Sequence, residues 1–258
     1  MNKTTRTIGA CAALAVAALW SPQSAAAKEA VAGVTIDVRG KPRLVQKEEA
    51  GKLEGMSQQD KAKAGKRLKN NKFVYEGDVI LTGKGDRAAI AFVGGAETRI
   101  NENSEFLIES GGGAGKKPTS LFTRVGQAWT RMLHGKSGMQ IRTPLAVAAV
   151  RGTEADIDMR RRLEVKVYEG HVDVMNQFGT QALRAGMMTS VNGPGAAPAQ
   201  ARQMQASDHG SWQNGLTPKQ IERRLERLQK RAEKERKVKL RYMKDGKPSE
   251  LNLDLEKK

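Results

Sequence analysis

Few residues in this chain have the types and spacing that chemistry needs. The three histidines, His134, His171 and His209, lie far apart, and none of the gaps is a metal-ligand spacing. His171 follows Glu169-Gly170 and reads as a solvated turn histidine. Ser104 and Ser137 lack the glycine-flanked elbow of a serine nucleophile. Asp156 and Asp158 fall on one face of an expected strand, where paired carboxylates are more often solvated than catalytic. Gly111 to Pro118 is rich in Gly and Lys. Its Lys116-Lys117-Pro118 does not supply the Lys-Ser/Thr helix start of a phosphate-cradling loop, so a hairpin loop is expected. These residues point to no enzyme, no metal and no cofactor.

Arg151 has two roles open to it. It ends the run Leu145-Ala146-Val147-Ala148-Ala149-Val150, which suits a strand covered on both faces. At the end of such a strand its guanidinium would satisfy carbonyls or pair with an acid, Glu154 being the nearest in sequence. The other role is to hold an anionic ligand. The structural role is favoured, because a covered strand end demands satisfied polar groups. Pro144 pushes Thr143 towards extended backbone, and Gly152 permits a turn that a side chain would hinder.

The chain around these residues has 258 residues and a net charge of +17. Residues 1–27 have the three parts of a signal peptide. Lys3 and Arg6 start it, Ile8 to Trp20 is apolar, and Ala25-Ala26-Ala27 offers a cleavage site before Lys28. The apolar run is shorter than the roughly 20 residues of a membrane span. Cys11 lies inside this leader, so the mature chain has no disulfide and no thiolate metal site. Cleavage lowers the net charge from +17 to +15. A periplasmic or secreted chain of that charge suits a protein partner or an anionic envelope polymer. A nucleic-acid arm lacks aromatic interleaving. No apolar run beyond the leader is long enough to span a membrane.

Further along, short strands recur between turn signals, the pattern of a mainly β fold. Residues 28–46 hold a first strand, with Val34, Ile36 and Val38 on one side. Residues 47–72 are rich in Lys, Glu, Gln and Ala and are expected as a solvated, mobile insertion, with Ser57 and Asp60 capping a short helix. Residues 73–191 form the ordered body. Within it Val74-Tyr75-Glu76-Gly77-Asp78-Val79 and Val167-Tyr168-Glu169-Gly170-His171-Val172 share five of six residues, a faint internal echo. Residues 192–216, rich in Pro, Gly, Ala and Gln, read as a linker. Residues 217–258 are expected as a basic helical tail. Thr217-Pro218-Lys219-Gln220 opens it, and Ile221, Leu225, Leu228 and Ala232 make a narrow apolar stripe beside Arg223, Arg224, Arg227 and Arg231. That stripe is a candidate partner-binding face. Leu251, Leu253 and Leu255 suggest a final strand.

The ordered body resembles the FecR protein domain. The resemblance rests on Glu76-Gly77-Asp78, Thr82-Gly83, Ile90 to Gly95, Ser104 to Ile108 and Gly126 to Trp129. It continues through Thr143-Pro144 to Val150-Arg151-Gly152-Thr153-Glu154, Glu169-Gly170 to Val174, and Ala185-Gly186. It covers about Phe73 to Val191. The chain departs from the family pattern at Gly94-Gly95, where Asp-Gly is common, at Ala155, where an aromatic is usual, and in the length of the insertion. The resemblance implies a single β-rich domain, as a sandwich, a roll or solenoid-like coils. It also implies an exported binding or sensing module of the cell envelope. The best-known relatives regulate sigma factors through a membrane helix and a cytoplasmic segment, and neither part is evident here. Two other functions remain open: an envelope-polysaccharide enzyme or its accessory subunit, and a receptor-docking regulator of a sigma-factor system.

Overall fold

The computed structural model describes residues 31–112, 117–132, 138–210, 212–213, 217, 219–221, 223, 226, 237–244 and 247–254. The leader, His134, Ser137, Lys116 and much of the expected C-terminal stripe lie outside them. The chain begins with β1 (Val31–Arg39) and β2 (Arg43–Val45). Two one-turn helices follow, α1 (Lys47–Ala50) and α2 (Gln58–Lys61). Then come β3 (Lys66–Arg67), β4 (Phe73–Tyr75), β5 (Val79–Thr82), β6 (Arg87–Phe92), β7 (Ala96–Ile100) and β8 (Ser104–Gly111). Next are β9 (Thr119–Val125), β10 (Gln127–Met132), β11 (Met139–Arg142), β12 (Val147–Asp158), β13 (Leu163–Asn176), β14 (Gly179–Arg184), β15 (Met187–Val191) and β16 (Arg202–Gln203). A separate hairpin pairs β17 (Lys237–Lys244) with β18 (Lys247–Asp254).

β1 to β16 form one sheet, in the order β3-β2-β5-β8-β9-β11-β12-β10-β7-β6-β1-β4, with β13 to β16 branching from β12. The long strand β12 organises it. Val147 to Val150 pair with β11, and Glu154 to Asp158 pair with β10. β13 lies along the whole of the other edge. β12 therefore belongs to two wings, joined where its register with β13 shifts between Arg151 and Ala155. Such bulges are how strands turn a corner from one sheet into another. The first wing runs β4-β1-β6-β7-β10 and on through the far half of β12, and the second runs β3-β2-β5-β8-β9-β11 into its near half. Along the sequence the chain passes back and forth between them.

The wings close on one core. Ile90, Ile100, Ala128, Ile157 and Val165 from the first meet Ile80, Phe106, Leu121, Ile141 and Val150 from the second. Where β8 meets β1 the approach is tight enough to exclude a side chain: a Cβ on Gly111 would lie 2.3 Å from the Ala32 Cα. Two smaller apolar clusters lie on the outer faces. Val34, Ile36, Ala89 and Ala91 of the first wing pack against Ile221. Val79 and Leu81 of the second pack against Val45 and Leu53.

The fold corrects four expectations. Residues 47–72 are not a bare solvated arm. Leu53 and Leu68 are fully buried, and Ser57 Oγ accepts from the Asp60 amide to cap α2 as expected. Few apolar residues suffice because Leu53 lands on the outer face of β5 and Leu68 enters the main core. The linker is also packed down: β16 pairs with β15, and Thr189 Oγ1 donates to the Ala199 carbonyl at 2.5 Å. The tail is not helical throughout. Lys219 to Ile221, Arg223 and Glu226 are helical, but residues 237–244 and 247–254 form the strands β17 and β18. The alternation Lys237-Val238-Lys239-Leu240-Arg241-Tyr242 has the period of a strand, and Asp245-Gly246 is a two-residue hairpin signal. Lastly, only one face of Leu145 to Val150 is fully covered. Ala146, Ala148 and Val150 join the core, whereas Leu145 and Val147 are half-buried.

Candidate functional site

Most of the signature residues close corners. Gly77 has φ of 94° and turns the chain from β4 in the first wing to β5 in the second. Asp78, buried, accepts the Tyr75 amide at 2.9 Å across the same turn. Glu76 accepts the Gly111 amide at 3.3 Å and pairs with Lys117. Gly170 has φ of 72° and turns β13 from the first wing to the second. The echo between residues 74–79 and 167–172 is thus two copies of one corner. Thr82 Oγ1 donates to the Asn101 carbonyl at 2.6 Å and accepts the Ser104 amide at 2.9 Å, at the return next to Gly83. Thr143 Oγ1 donates to the Ala146 carbonyl at 2.8 Å and closes the turn through Pro144. The Gly186 amide donates to the Val167 carbonyl at 2.8 Å.

Arg151 stands at the corner of β12 beside Gly152, opposite His171, and is exposed. The expected covered strand end is therefore not its setting. Glu154 bonds elsewhere: its Oε1 accepts the Trp129 indole N–H at 3.0 Å. The side chain of Thr153 lies outside the described residues, as do Arg224, Leu225, Leu228 and Arg231 of the expected helix face. Of that face Ile221 is described, and it is fully buried against the first wing.

The outer face of the first wing carries a charge cluster that sequence reasoning missed. Glu97 on β7 is fully buried, with Arg99 at 2.6 Å and Arg131 of β10 at 2.8 Å. Both guanidiniums also lie over the Trp129 ring, at 5.7 and 5.2 Å. Burial pushes the Glu97 carboxyl above its usual range, against the pull of the two arginines. Beside it Asp156 is buried rather than solvated, which overturns the expectation for the Asp156/Asp158 pair. It accepts the Gln127 amide at 3.0 Å and the Trp212 indole at 3.1 Å. Burial pushes its carboxyl up to about 6, and the bonds from Trp212 and Gln127 hold it down. Arg87 donates to the Trp212 carbonyl at 3.0 Å, with its guanidinium 5.8 Å from the ring. His209 lies against Tyr168, ring centroids 5.7 Å apart. The signal for this cluster was charge at alternate positions in mid-strand, which pattern alone assigns to solvent. Asp158, in contrast, is half-buried and ion-paired with Arg160.

The outer face of the second wing differs. From β11 to β14 it presents Arg142, Arg151, His171 and Arg184, all exposed, around half-buried Gln140 and Asp173. Among the described residues no three His, Cys, Asp or Glu side chains group as a metal site, and no helix is long and apolar enough to cross a membrane.

Residues 78–173 match the model of the FecR protein family. This segment is similar to a FecR domain. It runs from the Asp78 corner to Asp173 in the second half of β13, so it holds both halves of the bent β12–β13 pair. Two solved structures of candidate anti-sigma factors from Parabacteroides distasonis are similar to the chain, each at 15% identity, with TM-scores of 0.43 and 0.44. They match 50% and 59% of this chain and 61% and 74% of their own. The chain thus spans less than two thirds of the first of them. No curated protein matches it. The matched range takes in the corner residues Asp78, Thr82, Thr143, Gly152 and Gly170, while Glu76, Gly77 and Gly186, like the insertion and the segment after residue 173, lie outside it.

Proposed function

We propose that the protein is a non-enzymatic regulatory module of the cell envelope that works by binding a protein through its FecR domain. The observation that carries this is the use of the signature residues. They hold the corners of a two-wing sheet and leave the outer face of the second wing from β11 to β14 open for contact. Rigid sheets with open faces suit recognition, because little ordering is needed on binding. Residues 1–27 act as a cleaved export signal, and the mature chain starts at Lys28 in the periplasm. Within this class the FecR domain favours a role in sigma-factor signalling, by docking on an envelope receptor.

Two measurements test this. The N-terminus of the chain recovered from the periplasm is expected to be Lys28; recovery from the cytoplasm with an intact leader rejects the export reading. Photocrosslinkers at Arg142 and Arg184 are expected to capture one envelope protein, whose removal changes the transcripts that deletion of this chain changes. Hydrolysis of envelope polysaccharide that a single carboxylate substitution abolishes would replace this reading with an enzymatic one.

A further inference from the structure

The insertion does more than cover β5. Where α2 leans over the ends of β5 and β8 it leaves a cleft of about 310 Å³. Four segments line it: Lys41 and Arg43 at the start of β2, Gln59 to Ala62 around α2, the turn from Thr82 to Asp86 with Lys84 at its tip, and Asn103 to Glu105 where β8 begins. Its floor is apolar, from Leu81 and Val125.

The charges in the cleft do not cancel. Both acids that line it are engaged. Asp86 Oδ1 accepts the Lys41 amide at 2.6 Å, and its Oδ2 accepts the Gly83 amide at 3.0 Å. Glu105 takes the Lys61 ammonium at 2.7 Å. The Arg43 guanidinium is oriented by the Ala64 carbonyl at 3.0 Å and by the carbonyl of Lys63. Neutral carbonyls fix its plane and leave it charged. Lys41 and Lys84 are exposed at the rim, and no described carboxylate pairs with either of them or with Arg43. A positive concave site with an apolar floor strengthens attraction for an anion relative to open solvent. A held guanidinium offers paired donors to a carboxylate or a phosphate.

We propose that this cleft is a binding site for a small anionic ligand, a carboxylate- or phosphate-bearing molecule of about monosaccharide size. One wall comes from the insertion and the opposite wall from the Thr82-Gly83 turn of the FecR domain. Occupancy therefore ties the insertion to the body. The site stands apart from the protein-binding role proposed above, and each can fail without the other.

The test is calorimetric titration of the full chain with glucose 6-phosphate, glucuronate and uncharged glucose, at low and high salt. One or both anions are expected to bind, more weakly in high salt, and glucose is expected not to. Binding by the phosphate alone or the carboxylate alone identifies which group the site takes. Lys41→Glu with Lys84→Glu, two exposed positions, is expected to weaken binding at least roughly tenfold, about 1.4 kcal/mol, with an unchanged melting curve. Arg161→Glu, an exposed position outside the cleft, is expected to bind as the parent does. The proposal is overturned if neither anion binds, if glucose binds equally, or if the double variant binds as tightly as the parent.

Discussion

Asp156 is the residue whose setting departs furthest from its place in the sequence. It sits in mid-strand between Ala155 and Ile157, both in the core, so alternation turns it outward. The Trp212 indole then covers it. Its carboxyl is raised from 3.8 to about 6 in the folded chain. Between those values the folded state holds a proton that the unfolded state has released. Stability from this group is therefore greatest below about pH 4 and falls as pH rises towards 6, by an amount on the order of 3 kcal/mol. Asp156→Asn is expected to flatten the dependence of the denaturation midpoint on pH across that window. An unaltered slope would show that Asp156 is not the titrating group. Trp129 makes a second case. Trp129→Phe keeps a ring beneath Arg99 and Arg131 but removes the donor to Glu154, with an expected loss of about 1 kcal/mol in denaturant titration.

Among the elements, the insertion and the β8–β1 contact decide most. Leu53→Ala is expected to cost roughly 2–4 kcal/mol, the value of a core leucine, although it lies in a segment whose composition resembles a mobile arm. A loss near zero would return that segment to the solvent. Gly111→Ala sets a methyl against the Ala32 backbone, where no side chain can move aside. The expected cost is about 1–3 kcal/mol, read from the shift in denaturation midpoint at constant slope. Strands such as β8 and β13 were legible because apolar residues alternate along them with mostly polar ones on the other side. The insertion, the segment from 192 to 213 and β17 were not. Their packing depends on single residues, Leu53, Thr189 and Trp212, that no period reveals, and a Lys- and Arg-rich stretch reads equally well as a helix until the turn residues are weighed.

At the scale of the molecule, the family signature was legible and its meaning was not. Glu76-Gly77, Gly152 and Glu169-Gly170 recur as motifs in one dimension. Only the pairing of β12 with β10, β11 and β13 shows them as corners between two wings. The candidate site was less legible still, since the cleft joins residues 41, 61, 84 and 105 from elements that lie apart in sequence. Because β12 belongs to both wings, neither has a core of its own. Chemical unfolding followed by tryptophan fluorescence, which reports the first wing, and by far-UV circular dichroism is expected to trace one coincident transition. Two separated transitions would mean the wings are independent.

The bent β12–β13 pair also sets a clock. β1 finds its partners only when β4 and β6 have been made, and the first wing reaches β12 only through β10. The strand that joins everything lies more than a hundred residues after β1. A chain emerging from its N-terminus has no finished substructure to settle into until β13 arrives. Folding dominated by such distant pairings is slow. Under the export proposed above, late closure would keep the chain pliable until passage is over.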